Sequence, residues 1–198
     1  MSYIIVGLGN PGAEYEGTRH NTGRMIVQAL AKKLDFPDWK NDMKLKALVT
    51  TGKLGKEKVQ LIIPETFMNK SGLSVLPLVK SKKAAETLLV IHDDLDIPLG
   101  KMKLSFNKSS GGHKGVESIM KAVKTEAFIR LRVGVVPALA SGKLKKPQGE
   151  KEIIDFIIGE FKKPELEIIK KSIKKAVEGL EVLGKEGREI ATGVINSN

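Results

Sequence analysis

"YIIVGLGNPG" (residues 3–12) combines an apolar run with a glycine-rich turn close to the N-terminus. Its first six residues are almost entirely apolar, which is typical of a strand buried on both faces of a sheet. Three glycines, Gly7, Gly9 and Gly12, then match the G-x-G-x-x-G pattern of dinucleotide-binding loops. We therefore predict a buried strand over residues 3–8 that ends in a tight turn. The turn raises the hypothesis of a nucleotide-dependent oxidoreductase.

The residues after this turn disfavour the oxidoreductase hypothesis. A dinucleotide loop passes directly into a helix, and an acidic residue about 20 positions on follows the next strand. Here Gly17 interrupts any helix, no apolar stripe begins before Met25, and the acid at suitable distance, Asp35, ends a helix instead. The turn does place Asn10 at the carboxyl end of a strand, which is where the sites of open α/β sheets collect.

Strand-like and helix-like segments alternate along the rest of the chain, which predicts an α/β fold. No shift of composition marks a boundary, so we expect residues 1–198 to form a single domain. The predicted strands are 3–8, two within 45–64, 87–91, 101–106 and 130–136. The predicted helices are 21–34, 69–82 with a break near Pro77, 114–124, 150–158 and 165–183.

Composition narrows the class of protein. The formal net charge is +11, from 34 Lys and Arg against 23 Asp and Glu. This surplus attracts polyanions such as nucleic acid, although a lysine-rich surface that only confers solubility has the same composition. The absence of cysteine excludes disulfides and thiolate metal sites. The sequence shows neither a signal peptide nor the roughly 20 apolar residues of a membrane span, so we expect a cytoplasmic protein with no membrane partner.

The three histidines, His20, His92 and His113, lie outside the apolar stripes of the predicted helices. Zinc is one explanation, but no H-x-x-x-H or H-E-x-x-H spacing supports it. The acidic run that follows His92 also lacks the D-x-D-x-D-G spacing of a calcium loop. A His–Asp pair that activates water is the other explanation. The chain has no cysteine and no G-x-S-x-G serine, which favours direct attack by water over a covalent intermediate.

Five motifs in this order resemble the bacterial-type peptidyl-tRNA hydrolase family over essentially the whole chain. They are "GLGNPG-x-x-Y-x-x-T-R-H-N-x-G" at 7–23, "P-x-T-F-M-N-x-S-G" at 64–72, "HDDLDIPLG" at 92–100, "SGGHKG" at 110–115 and "F-x-RLRVGV" at 128–135. The resemblance implies a three-layer α/β/α globule with a twisted mixed sheet. It also implies an enzyme that cleaves the ester between a stalled nascent peptide and the terminal ribose of tRNA. We expect no cofactor, no metal and no obligatory protein partner, and a monomeric state.

The resemblance also implies roles for individual residues. His20 is expected to be the general base that activates water, and Asp93 to orient it. Asn10 and Asn69 are expected to hydrogen-bond the peptide and the region of the reacting carbonyl. An amide both donates and accepts, which suits a peptide backbone next to an ester.

Four further residues are expected around the peptide. Tyr15, Phe67 and Met68 line the groove in the family pattern, although ordinary packing explains them equally well. His113 is expected near the same groove.

Lys103 and Arg132 match the basic residues with which the family grips the acceptor-stem phosphates, in keeping with the net charge. The chain departs from the family at two positions. Lys114 stands in the substrate region where the family usually has asparagine, and Ser105 stands where it often has a second basic residue. Because a lysine only donates hydrogen bonds and sits on a flexible stem, we expect the Lys114 ammonium to point to solvent or to the tRNA backbone.

An alternative function stays open at this point. The same scaffold can serve as an RNA-binding module that no longer catalyses a reaction. The presence of Asn10, His20, Asn69 and Asp93 argues against this alternative, and Lys114 argues mildly for it.

Overall fold

The computed structural model describes residues 2–197. Within them, seven strands form one mixed sheet in the order β2-β3-β4-β1-β5-β7-β6. The strands are β1 Ser2–Gly7, β2 Lys40–Asp42, β3 Ala47–Leu54, β4 Glu57–Pro64, β5 Leu88–Pro98, β6 Met102–Phe106 and β7 Ile129–Val136. The four central strands are parallel, and β2, β3 and β6 run antiparallel to their neighbours.

Helices cover both faces of this sheet. They are α1 Thr22–Lys33, α2 Gly72–Val75, α3 Lys82–Ala85, α4 Lys114–Val123, α5 Gly149–Ile158, α6 Lys163–Glu186 and α7 Arg188–Asn196. Short 3-10 turns occupy Ala13–Tyr15, Arg19–Asn21 and Met68–Lys70. Among the described residues, no helix is both long and apolar enough to cross a bilayer.

The opening strand forms the centre of the fold. Because side chains alternate along a strand, Ile5 and Val6 of β1 enter two different apolar clusters, and both are fully buried. The cluster that holds Ile5 packs residues of α1, α6 and α7 against one face of the sheet. The cluster that holds Val6 packs residues of α2, α3 and α4 against the other. The predicted three-layer α/β/α architecture is confirmed.

Two predicted elements differ from the structure. The strand predicted over 87–91 continues to Pro98, because β7 keeps pairing with its polar second half beyond the end of β1. Of the helix predicted over 69–82, the break near Pro77 is confirmed but the length is wrong: a 3-10 turn and the short helix α2 precede the break, and α3 begins only at Lys82. Pro77 has no N–H to donate, which explains why α2 does not continue through it.

Strand β2 and helix α7 were not among the predicted elements. Helix α7 covers the outer edge of the sheet, where β6 has no further strand beside it. The amide oxygen of Asn196 accepts a hydrogen bond from the Leu104 N–H at 2.7 Å, and its amide nitrogen donates to the Leu104 carbonyl at 3.2 Å. One side chain thus satisfies backbone groups that a neighbouring strand would otherwise pair, which protects the edge.

Gly23 sets how closely α1 approaches the sheet. A Cβ atom at this buried position would lie 2.1 Å from the Ile91 carbonyl oxygen and 2.7 Å from the Leu8 nitrogen. Both are backbone atoms of the central strands, so neither can rotate away. The first turn of α1, and the residues just before it, are therefore held directly against the end of β1 and the middle of β5.

This close approach yields a stability prediction. Gly23→Ala is expected to lower the free energy of unfolding by about 3 kcal/mol or more, because the methyl group overpacks rigid backbone. Gly193→Ala is the matched control, since that exposed glycine of α7 has nothing within 4 Å of an added Cβ. The control is expected to stabilise the protein by about 0.5–1 kcal/mol. Urea unfolding of both variants measures the difference, and equal effects would contradict the packing account.

Candidate active site

The candidate site lies where the sheet divides at the carboxyl ends of β1 and β5. The last contact between these strands is the hydrogen bond from the Leu8 N–H to the Ile91 carbonyl at 3.0 Å. Beyond it the chain after β1 turns away, while β5 continues with Asp93 and Asp94 paired to β7. Such a point in an open parallel sheet leaves a crevice that functional side chains can fill.

His20 and Asp93 meet in this crevice. His20 belongs to the 3-10 turn before α1, and its Nδ1 lies 2.9 Å from Oδ1 of Asp93. The exposed fractions of the two side chains are only 8% and 2%. Burial by itself raises the pKa of the Asp93 carboxyl, but the charges and hydrogen bonds of His20 and His113 lower that pKa far below its usual range. Asp93 is therefore ionised, and the His20 nitrogen that faces it carries the hydrogen.

His113 binds the same carboxylate oxygen. Its Nε2 lies 3.0 Å from Asp93 Oδ1, and its Nδ1 accepts the N–H groups of Gly115 and Val116 at 3.2 and 3.3 Å. These two N–H groups open helix α4, so His113 is its N-cap. Because Nδ1 must offer a lone pair to the helix, the hydrogen of the neutral ring is on Nε2 and is donated to Asp93.

His20, Asp93 and His113 together have the composition of a metal site, with one ligand atom from each within 4.8 Å of the others. The hydrogen-bond pattern opposes this use. A metal on Nε2 of His113 needs the lone pair there, which moves the hydrogen to Nδ1 and directs it at the helix N–H groups. In His20 the hydrogen on Nδ1 faces the ionised Asp93, which leaves a lone pair on Nε2 and suits a general base.

Asn10 is held in place from two directions. Its backbone N–H and C=O bond the side chain of Asn21 at 2.8 and 3.0 Å. Its side-chain oxygen accepts the Met68 N–H at 2.9 Å. Two loops that are distant in sequence are thereby joined, and the remaining amide N–H₂ of Asn10 is a donor.

The other residues expected around the peptide are placed less tightly. Met68 is buried, whereas Asn69 is exposed and Phe67 is 57% exposed, both at the 3-10 turn that Met68 begins. Tyr15 is half-buried in the first 3-10 turn. Of these four residues, Met68 is the one that the structure joins to Asn10, through the hydrogen bond described above.

A cavity of about 710 Å³ opens beside the His–Asp pair. His20, Asp93, His113 and Lys114 belong to its wall. Its opposite wall is the apolar side of α5, formed by Ile153, Ile154 and Ile157. Sequence analysis predicted α5 but did not connect it with the site, because nothing in a single helix pattern says what its apolar face covers.

Arg19 is a second residue whose importance the sequence did not reveal. It is 5% exposed, and its guanidinium donates to the carbonyls of Phe156 and Gly159 at 3.2 and 3.1 Å and to Glu165 at 2.7 Å. It therefore ties the turn that carries His20 to the end of α5 and the start of α6. Its position in the "T-R-H-N" motif was the available signal.

Lys103 and Arg132 lie side by side. They are paired in register on β6 and β7, and Arg132 is paired in turn with His92 of β5. The two basic side chains are therefore on the sheet face that carries α4. The Arg132 Nε donates to Asp94 at 2.7 Å, which fixes the orientation of the guanidinium, whereas Lys103 is exposed.

Lys114 begins α4, and its side chain points outward as expected. The side chain is 68% exposed, and Nζ lies 3.7 Å from the Glu117 carboxylate one helical turn on. An acidic residue in the first turn offsets the unfavourable position of a cation at a helix N-terminus. Ser105 is paired in register with Arg130, which is 1% exposed.

Comparison with known proteins agrees with these motifs. A model of the family described as "Peptidyl-tRNA hydrolase" matches residues 4–198. The chain is 40% identical over 195 residues to a protein named peptidyl-tRNA hydrolase from Thermoanaerobacter sp. (strain X514), covering 98% of this chain and 99% of that protein. It is 40% identical over 196 residues to the protein of that name from Methylacidiphilum infernorum (isolate V4), covering 98% of each. The crystal structure of peptidyl-tRNA hydrolase from Acinetobacter baumannii is similar, with a TM-score of 0.88, 32% identity, and coverage of 98% of this chain and 94% of that one.

His92, which is fully buried in β5, yields a prediction about how the stability of the protein depends on pH. Burial, and then the nearby charge of His113, lower the pKa of His92 well below its usual value. The unfolded chain takes up a proton at about pH 6.5 while the folded protein does not, so stability falls as the pH decreases below that value. His92 is expected to contribute a loss of about 1 kcal/mol between pH 6.5 and 5.5. His92→Asn is expected to show a smaller loss over this interval in urea unfolding, and an unchanged slope would contradict the assignment.

Proposed function

The chain belongs to the peptidyl-tRNA hydrolase family and is a hydrolase of peptidyl-tRNA, and we propose that His20 and Asp93 carry out the reaction. The observation that supports these roles is the buried hydrogen bond from His20 Nδ1 to the ionised Asp93 carboxylate, at 2.9 Å. It holds the imidazole in the tautomer that offers Nε2 to a water molecule.

In the proposed reaction, Nε2 of His20 removes a proton from water as the water oxygen attacks the ester carbonyl carbon. The carbonyl oxygen becomes negatively charged in the tetrahedral intermediate. When the bond to the ribose oxygen breaks, the imidazolium returns its proton to that oxygen, which frees the tRNA and the peptide acid. The Asp93 carboxylate supports the imidazolium between these steps, and neither a metal nor a covalent intermediate is required.

Asn10 and Asn69 are proposed to bind the substrate next to the reacting ester. The side-chain oxygen of Asn10 is already engaged by the Met68 N–H, so its amide N–H₂ is the group available to the peptide or the ester carbonyl. Phe67 and Tyr15 are proposed to contact the peptide, since Phe67 is 57% exposed and Tyr15 is half-buried, so both rings present apolar surface to solvent. The apolar wall of α5 suits peptide side chains of varied sequence.

Lys103 and Arg132 are proposed to bind phosphates of the acceptor stem, so that the CCA end reaches His20. Their shared sheet face, which also carries α4 and His113, supports this direction of approach. Lys114 adds a mobile positive charge at the rim of the cavity and leaves the His–Asp pair untouched. His113 is proposed to hold Asp93 in place from a position beside His20, since both rings bind the same carboxylate oxygen and their centroids are 4.9 Å apart.

We further propose that the chain acts as a single-domain monomer in the cytoplasm. Both apolar clusters are built on one sheet, and the site draws all its described residues from one chain. No observation favours the alternative of an RNA-binding module without catalysis, because the His–Asp geometry is intact and the relatives cited above are named as hydrolases.

The role of His20 is tested by its removal. His20→Ala is expected to lower the turnover of N-blocked aminoacyl-tRNA by roughly two to four decades, the usual contribution of a general base. Release of deacylated tRNA measures the rate. Affinity for tRNA is expected to change little, and a retained melting temperature serves as the folding control. Turnover within about threefold of the parent would exclude His20 as the base.

The tRNA contacts are tested by charge removal at matched positions. Lys103→Ala is expected to weaken binding of deacylated tRNA and to flatten its salt dependence, because one counterion fewer is released. Lys174→Ala removes the same charge from α6 on the opposite face of the sheet and is expected to change the salt slope less. The affinity of each variant for deacylated tRNA, measured from 50 to 200 mM salt, gives the two salt slopes to be compared. Equal slopes for both variants would contradict the proposed surface.

A further inference from the structure

His92 is fully buried next to Asp93 in the chain, and the proposed mechanism does not use it. It lies in β5, on the face of the sheet that packs against α4. Its Nδ1 lies 2.6 Å from the carbonyl oxygen of Asp93, the next residue. Its ring meets the ring of His113 edge-on, with 4.6 Å between centroids and 62° between planes.

The Asp93 carbonyl needs this donor because of where β1 ends. Alternate residues of a strand direct their backbone groups to the same side, so Asp93 faces the side on which Ile91 bonds the Leu8 N–H. Strand β1 ends at Gly7 and does not reach as far as Asp93. The His92 N–H takes the place of the missing strand and fixes the orientation of the peptide group that carries the Asp93 side chain.

Histidine is a costly residue at this position. With Nδ1 donating, Nε2 of the neutral ring carries a lone pair, and it is buried without a hydrogen-bond partner among residues 2–197. The charged or titratable groups that act on the ring are His113, Asp93 and Arg130. An apolar side chain would fill the same space without leaving a polar nitrogen unsatisfied. The cost indicates that the Nδ1–H donor is what the site requires.

We propose that His92 is a positioning residue for peptidyl-tRNA hydrolysis, and this inference rests on the proposed roles of His20 and Asp93. It acts through Asp93 and does not touch substrate. By holding the Asp93 peptide, and by supporting the ring of His113, it keeps Oδ1 at 2.9 and 3.0 Å from two imidazole nitrogens at once. Without the donor, the carboxylate rotates away from this shared position and His20 loses its orientation.

Two groups of variants separate the effect of the His92 N–H donor from the effect of its ring packing against His113. His92→Phe keeps a ring against His113 but loses the donor, and His92→Leu repeats the loss with a smaller side chain. His92→Asn loses the ring but keeps an N–H₂ group near the position of Nδ1. With N-blocked aminoacyl-tRNA, the donor-less variants are expected to lose about tenfold or more in kcat with KM within about twofold, and His92→Asn is expected to recover most of that loss. Equal kcat in all three variants would overturn the proposal.

A measurement that does not depend on catalysis separates the positioning role of His92 from the proposed hydrolytic function. An imidazole N–H bonded to a carboxylate gives a proton NMR signal far downfield of ordinary amides, and the chain has only three histidines to assign. The His20 signal is expected to be lost or moved in His92→Phe and His92→Leu and retained in His92→Asn. An unchanged signal in the donor-less variants overturns the role of His92. If the parent protein shows the signal but does not release tRNA, the proposed function fails while the positioning role stands.

Discussion

One carboxylate oxygen, Oδ1 of Asp93, accepts hydrogen bonds from two imidazoles, and the site depends on this arrangement. Its parts come from different regions of the chain: the turn before α1, the extended second half of β5 and the N-cap of α4. The close approach at Gly23 brings the first of these against the sheet. The N–H groups of Gly115 and Val116 at the start of α4 donate to Nδ1 of His113, which holds that ring next to Asp93. The packing of these three regions therefore determines the hydrogen bonds at one atom, Oδ1 of Asp93.

This arrangement explains how a buried negative charge is tolerated. Desolvation disfavours the ionised Asp93, but two histidines and their hydrogen bonds outweigh it. The helix N-terminus determines the tautomer of His113 without a further charged group. Lys114 lies on the cavity wall with its ammonium 3.7 Å from Glu117, and it takes no part in the hydrogen bonds that join His20, Asp93 and His113.

The sequence predicted the features that short-range patterns encode. The buried run of β1, the start of α4 and the pairing of His20 with Asp93 all follow from periodicity or from the family motifs. The full length of β5 could not be predicted in this way. Its second half is polar and pairs with β7 on one side, and a polar segment of this kind has the sequence pattern of a loop. The contact of α5 with the cavity, and the sharing of one oxygen by two histidines, depend on distances between elements that no single-sequence pattern contains.

The proposed reaction depends on the negative charge of Asp93, and one substitution isolates the effect of that charge. Because both imidazoles bind the same oxygen, Asp93→Asn can keep both hydrogen bonds at Oδ1 while removing the negative charge that supports the imidazolium. The measurement is the single-turnover rate of ester hydrolysis in N-blocked aminoacyl-tRNA, with the folded state checked by melting. The account predicts a loss of about a hundredfold or more. A folded Asp93→Asn protein with a rate within about threefold of the parent would contradict it.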